Sequence, residues 1–338
     1  MDNHPLFLNV DLKKYKSRFL VKKYEANTLL FHEGESCNEL GIILKGQLII
    51  STLTTLDKEY IINVLNFGRQ TLFYYELHAH TNVGSKCGKI DPEEYIKFYK
   101  EKGYSGMVIT DHFYYGNTAI DRNLEWRDFV DKFCEGYRRA KAEGDKQDFS
   151  VFFGFEQKFS NGNDEYIVLG LTPEWLSEHP EIRDMKRQDF FSFIHKNGGY
   201  VIQAHPFRVR NYISDIRLAG GMVDAIEVYN SGNAYNGANA LETCRQAYEY
   251  AKNLGLPMVG GSDIHALKWS ELSGVSVPQK LNDVSELIEA ISKGQAEIIP
   301  KGKLEEIKSS PLEKPELPVF KACGNELKET EDYFWANV

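Results

Sequence analysis

From residue 72 onward, short apolar runs alternate with amphipathic stretches of ten to twenty residues. The runs 72–77, 106–110, 151–155, 200–203, 224–229, 257–260 and 297–299 read as strands, and 166–171 reads as a β-hairpin partner inserted after the third. Helices are predicted between them. Asp91-Pro92-Glu93-Glu94 opens one with an acidic N-cap and proline at the first position, and Gly103 closes it. Others are expected over 124–143, 188–197, 238–254 and 284–292. Seven β-α repeats of this kind predict a parallel barrel or a doubly wound sheet. The charged stretch 301–314, with Pro311 in it and Pro315 next to it, reads as a surface tail.

Residues 24–67 have a different pattern. Short β-type runs at 29–32, 41–44, 48–53 and 60–65 are punctuated by Glu33-Gly34-Glu35, Lys45-Gly46-Gln47 and Asp57-Lys58, as antiparallel strands joined by turns would be. The expected organisation is a small all-β segment over 1–70, an α/β domain over 71–300 and an extension over 301–338.

Composition narrows the classes. The 338 residues are 42% apolar and 26% charged, which excludes a disordered, collagenous or disulfide-scaffold chain. A net charge of −9 disfavours non-specific binding to a phosphate backbone, though not a local basic pocket. The five cysteines are scattered without a CxxC pair, as suits a reducing compartment. No apolar run approaches the ~18 residues of a membrane span, and the first residues lack the features of a secretory signal. A cytoplasmic protein is expected.

The candidate chemistry lies at the strand ends. His78 and His80 follow the first strand, His112 the second, Glu156 the third, His205 the fourth, and Asp263 with His265 the sixth. In a β/α barrel all seven stand at the C-terminal rim, where active sites are built. In His78-Ala79-His80 strand geometry sends residues i and i+2 to the same side, so both imidazoles can grip one cation; the same holds for Asp263-Ile264-His265. Imidazole and carboxylate suit zinc, manganese or iron. Asp111 should point away from His112 and orient a ligand rather than bind directly. Arg208 and Arg210 are the best phosphate clamps by position, with Lys86 weaker. His4, His32, His179 and His195 take structural readings.

ELHAHT (76–81), ITDH (109–112), GFE (154–156), AHP (204–206) and GSDIH (261–265) resemble the successive motifs of the PHP superfamily, the polymerase and histidinol phosphatase domain. The resemblance implies a distorted seven-stranded, TIM-like β/α barrel holding two or three divalent ions that hydrolyses phosphoesters. It implies that His78, His80, Glu156 and Asp263 hold one metal, with Glu156 bridging, that His205 helps hold a second, and that His112 and His265 serve a third. Two positions depart from the family pattern. The loop after the HxH pair, Thr81 to Gly88, lacks its usual Asp or His, so either Cys87 substitutes as a thiolate ligand or the third metal is short of one. The histidine that tends to follow the bridging Glu is also missing, with Asp164 the nearest candidate.

Residues 22–68 resemble the opening half of the cyclic-nucleotide-binding β-roll of catabolite-activator-type regulators, without the phosphate-binding helix that follows it there. This implies a β-roll but not nucleotide binding, with an open edge that would be buried against the barrel or a second copy in a homo-oligomer. The function expected is hydrolysis of a phosphomonoester, nucleotide or oligonucleotide by metal-activated water. Glu156, Asp263 and Arg208 are the catalytic residues, and no side-chain nucleophile is used. The partner expected is a small phosphorylated substrate, with no stable nucleic-acid or membrane partner. A small-ligand sensor with a barrel of reduced activity is the alternative.

Overall fold

The computed structural model describes residues 46–53, 59–67, 72–232, 240–268 and 271–330. The chain divides into two compact units, Met1–Arg69 and Gln70–Val338. In the first, β1 (Gly46–Leu53) and β2 (Glu59–Phe67) form an antiparallel ladder with an irregularity between Ile50 and Ser51. The strands expected at 29–32 and 41–44 lie outside the described residues, and with them most of the β-roll reading.

The second unit begins with β3 (Phe73–Glu76), α1 (Pro92–Glu101), β4 (Tyr104–Ile109), α2 (Trp126–Phe133), α3 (Glu135–Gln147), β5 (Ser150–Lys158) and β6 (Glu165–Leu169). It continues through α4 (Pro173–Glu178), α5 (Arg187–Lys196), β7 (Tyr200–Ala204), β8 (Ile216–Leu218), β9 (Ala225–Asn230), α6 (Ala240–Leu254) and β10 (Met258–Gly261). It ends with β11 (Gly274–Val277), α7 (Val284–Ser292), β12 (Glu297–Ile299), α8 (Lys303–Ser309), β13 (Val319–Cys323) and β14 (Glu326–Glu329).

Nine of these strands form one sheet in the order β10-β9-β7-β6-β5-β4-β3-β11-β12. It curls into a nearly closed barrel, and it corrects the expected count of seven. One extra strand is the anticipated hairpin partner β6, antiparallel to β5 and β7. The other is β11, which runs antiparallel to β3 and β12 and carries too few residues to display a period. Gly274 at its start has φ +139°, and a Cβ there would sit 2.1 Å from the Tyr75 carbonyl oxygen, so glycine alone permits this pairing. Both faces of β5 are covered, which explains its unbroken apolar run from Val151 to Phe155.

The helices follow the expected order with three differences, one of them the short α4 (Pro173–Glu178), which lies outside every expected helix. The stretch 124–143 divides at Cys134 into α2 and α3, a break that sets Gly136 against the rim: a Cβ there would lie 2.6 Å from Thr81 Oγ1. The expected surface tail over 301–314 contains α8, and β13 and β14 beyond it join β8 in a three-stranded sheet. Among the described residues no helix is long and apolar enough to cross a membrane.

Closure at the C-terminal rim is what builds the site. Past the end of β3, Ala79 pairs in parallel with Ile264. The His80 N–H donates to the Ile264 carbonyl and the Ile264 N–H to that of His78, both at 3.2 Å. Ser262 and Ser273 bridge the seam between β10 and β11: the Ser273 N–H donates to Ser262 Oγ at 2.8 Å, and Ser273 Oγ donates to the Ile299 carbonyl at 2.9 Å.

Candidate metal centre

The bridge at Ala79 and Ile264 places His78 and His80 on one side of the seam and Asp263 and His265 on the other, all facing the barrel mouth. His112, just beyond β4, enters through a parallel bridge to Glu156 within β5. His205 follows the last residue of β7. Two of these positions are strained: Asp263 (φ 50°) and His205 (φ 28°) are non-glycine residues at positive φ, a conformation that persists only where the surroundings enforce it.

Glu156, 1% exposed, stands at the centre. Its Oε1 lies 3.1 Å from His78 Nε2 and 3.3 Å from His205 Nε2, while its Oε2 lies 2.5 Å from His112 Nδ1 and 3.7 Å from His80 Nε2. The two oxygens thus face two different sets of imidazoles. Asp263 Oδ1 lies 3.1 Å from His80 Nε2 and 3.6 Å from both His78 Nε2 and His265 Nδ1. The His80 ring is stacked between His112 at 4.2 Å and His265 at 4.6 Å.

The electrostatics demand positive charge here. Burial opposes ionising Glu156, yet His112 and His78 hold its carboxyl well below the usual range; for Asp263 burial is likewise outweighed, by Arg208 and His78. Burial lowers His78 and His112, but the carboxylates around them, Glu227 foremost for His78 and Glu156 for His112, raise both well above the ordinary imidazole value. His80 is driven the other way, by burial and by the charge of His112 and His265.

Residues behind the cluster fix its orientation. His78 Nδ1 donates to Glu227 Oε1 at 3.0 Å, which leaves Nε2 to face Glu156. The other oxygen of Glu227 accepts the His205 N–H at 3.0 Å and the Asn230 side-chain amide at 2.9 Å. Asp111 accepts from Thr81 Oγ1 and Ser85 Oγ at 2.7 Å, and Ser85 Oγ in turn lies 3.3 Å from His80 Nδ1. His265 Nδ1 donates to the Asp263 carbonyl at 2.7 Å. Replacing Glu227 by glutamine leaves one carbonyl oxygen for three N–H donors, His78 on one side and His205 with Asn230 on the other, which it cannot serve together. Glu227→Gln is therefore expected to weaken metal binding about 10–100-fold, the usual loss when such an orienting partner is changed. Competition with a chromophoric chelator measures this, and unchanged affinity would remove Glu227 from the role.

The structure brings together His78, His80, His112, Glu156, His205, Asp263 and His265. Arg208 joins them, its guanidinium paired with the Asp263 carboxylate and 3.9 Å from Glu165. Cys87 lies against His112 and His265, and although its burial opposes ionisation, hydrogen bonds from those imidazoles bring the thiol down to about 6. Asp164 is displaced from the site: it forms a buried pair with Arg187 at 2.6 Å. Glu165 takes its place, 3.6 Å from His205 Nε2 and 3.9 Å from His112 Nδ1. Strand alternation decides between them, because Glu165 shares the barrel-facing side with Ile167, the partner of Glu156 in the ladder. The sequence reading also passed over Glu227 and Glu76. The signal was present, since each is a carboxylate in an otherwise apolar or aromatic strand, AIEVYN and FYYE. His195 is structural as expected, bound to Asp224 at 2.9 Å.

These donors fit divalent cations. Four buried atoms, His78 Nε2, His80 Nε2, His112 Nδ1 and Glu156 Oε2, have no hydrogen-bond partner and converge on one space. Donor atoms of His78, His80 and Asp263 lie within 4.8 Å of one another, as do those of His80, His112 and His265 and those of His112, Glu156 and Glu165. Imidazole and carboxylate are the donors zinc, manganese and iron take.

Residues 76–219 match the PHP domain family profile, and residues 242–296 match a profile described as PHP-associated. No curated protein matches the sequence. A solved two-domain protein from Bacteroides vulgatus, containing a predicted PHP-like metal-dependent phosphoesterase, is similar in fold with a TM-score of 0.52 and 15% identity, over 70% of this chain and 69% of that one. PsfC from Pseudomonas syringae gives a TM-score of 0.48 at 15% identity over 70% and 95% of the two chains. A lesion-specific endonuclease from Pyrococcus furiosus gives 0.42 at 13% over 68% and 58%. The PHP match covers His78, His80, His112, Glu156 and His205, and the PHP-associated match covers Asp263 and His265, so all seven donors fall within matched residues.

Proposed function

We propose that the barrel hydrolyses a small phosphoester with water activated by two or three divalent ions drawn from zinc, manganese and iron. The observation that carries this is the convergence of three unpartnered buried imidazole nitrogens on one central carboxylate, Glu156, whose own Oε2 is unpartnered too. Such ions, when bound, lower the pKa of water toward ~7 and neutralise phosphoryl charge.

The residues divide that work. Glu156 offers one oxygen to each of two imidazole sets, the arrangement of a bridging ligand. His78 and His205 flank its Oε1 and His80 and His112 its Oε2, with Asp263 against His78 and His80 and Glu165 against His205 and His112. Arg208 stands at the mouth between Asp263 and Glu165, where its planar fork can take two phosphate oxygens. The unpartnered nitrogens of His78, His80 and His112 face Glu156 rather than a serine or cysteine, and water is the nucleophile proposed. The net charge of −9 favours a small phosphorylated substrate over a nucleic-acid partner. The cytoplasm is the proposed location, in keeping with unpaired Cys87, Cys134, Cys244 and Cys323.

The test is hydrolysis of a chromogenic phosphomonoester and phosphodiester by protein stripped with chelator and then reloaded with each metal. Activity should vanish and return with metal; full activity after exhaustive chelation, or a phosphorylated enzyme trapped by rapid quench, would overturn the reading. Arg208→Ala is expected to raise KM about tenfold while lowering kcat less, because the guanidinium binds phosphate already in the ground state. A fall confined to kcat would assign Arg208 to the transition state alone.

A further inference from the structure

A cleft holding about 310 Å³ of space opens beside the donor cluster, between the β5–β6 turn and the loop that joins β7 to β8. Its inner end is shared with the cluster through Glu165, His205 and Arg208. That volume stands at the lower end of the range for small-molecule sites. Farther out, Asn163 and Asp164 form one wall and Ile213 with Asp215 the other. The walls carry no surplus of positive charge. Asp164 pairs with Arg187 at 2.6 Å and Asp215 with Arg217 at 2.5 Å, and in the lining Asp164, Glu165 and Asp215 outnumber Arg208 and Arg217. A second phosphate is therefore disfavoured in the cleft, and an uncharged group is favoured.

The lip of the cleft is apolar. The large hydrophobic side chains that stand exposed among the described residues are Val209 and Tyr212, at 38% and 60%, and both lie on the β7–β8 loop. A single exposed tyrosine is ordinary, but this one is held in place beside the site. Asn163 Nδ2 donates to the Tyr212 carbonyl at 3.3 Å, and the Ile213 N–H closes a turn onto the Arg210 carbonyl at 3.0 Å. The Arg208 N–H donates to the His205 carbonyl at 3.0 Å, which ties the start of the same loop to the cluster. The charges that act on the Tyr212 hydroxyl are those of Arg208, Glu165, Arg210 and Asp263, so the ring stands at the mouth rather than away from it.

We propose that Tyr212 is the stacking platform of a substrate subsite, and that the phosphoester taken by the barrel carries an uncharged, flat aromatic group there. The inference rests on the phosphoesterase reading and narrows it to a substrate class. A phosphate held at Arg208 leaves the cleft and its lip for the rest of the molecule. A flat ring can stack, offset, on a fixed tyrosine face, whereas a saturated ring of the same size has no π-face to offer.

Calorimetry on full-length, zinc-loaded protein tests this with two inert ligands, benzylphosphonate and cyclohexylmethylphosphonate. They share charge and carbon count and differ in the flatness of the ring. The saturated ring is the more apolar of the two, so simple burial would favour it. The benzyl ligand is expected to bind about fivefold more tightly. Tyr212→Ala should abolish that preference, and Tyr212→Trp should retain it. The side chain is exposed, so neither substitution disturbs the core. Equal affinities in the wild type, or a preference that survives in Tyr212→Ala, would overturn the subsite while leaving the phosphoesterase reading in place. Failure of the metal-loaded protein to bind either phosphonate would overturn that reading, and the subsite with it.

Discussion

Glu156→Gln is expected to lower turnover by on the order of 10³-fold or more and to reduce the number of tightly bound metals. Both carboxylate oxygens are in use: Oε1 faces His78 and His205, and Oε2 faces His112 and His80. An amide of the same shape keeps one oxygen, so it can serve one set of imidazoles but presents N–H groups to the other. It also removes the negative charge that raises His112 most strongly and contributes to raising His78. The side chain is buried, and the backbone there is held by the Glu156 N–H donating to the Asp111 carbonyl and by the Phe113 N–H donating to that of Glu156. The fold should therefore survive, and circular dichroism should match the wild type. Elemental analysis beside the steady-state rate decides the outcome. Full metal content with wild-type turnover would show that Glu156 neither bridges nor positions, and the proposed function would fall with it.

The seven rim residues were legible because a β/α barrel collects strand ends in one place regardless of how the strands curve. Reading that each motif follows a strand was enough. Asp164 and Glu165 show the limit: they are adjacent, both acidic, and only the ladder register, which sets Glu165 opposite Lys158 and Ala204, turns one inward and the other toward Arg187. A one-residue ambiguity in strand phase exchanges the two. β11 was illegible for a different reason, being four residues long and dependent on the approach that Gly274 permits. Its presence moves the seam of the barrel, and so does the bridge from Ala79 to Ile264, which lies beyond the ends of both β3 and β10. Glu227 and Glu76 fall between these cases. A carboxylate in a buried strand demands a partner, but the sequence does not say whether the partner is a ligand histidine, a backbone N–H or a metal.

The largest effect on stability is expected at Glu76, which ties the two edges of that seam together. Its side chain is fully buried; Oε1 accepts the His78 and Ser262 N–H groups, both at 2.8 Å, and Oε2 accepts the Tyr99 hydroxyl at 2.7 Å. Glu76→Ala strands three donors in a space closed to water, at about 1–3 kcal/mol each before relaxation, so a loss of about 3–5 kcal/mol is expected. Glu76→Gln should retain most of the stability, because the amide oxygen can accept both backbone N–H groups and its nitrogen can donate to Tyr99. The two variants differ further in pH dependence. Burial raises the Glu76 carboxyl to about 7, against the lowering effect of its three donors. A carboxyl whose pKa is higher in the folded state binds its proton more tightly there, so the contribution of Glu76 to the stability of metal-free protein is complete below the unfolded value of about 4.5 and falls by up to about 3 kcal/mol as pH rises toward 7. That component of the slope should be absent in Glu76→Gln, which has no proton to lose. Urea denaturation of chelator-treated wild type and both variants at pH 5 and pH 8 measures the difference. Glu76→Ala within about 1 kcal/mol of wild type, or an undiminished pH slope in Glu76→Gln, would mean the seam is held by the backbone bridge at Ala79 and the serine pair instead.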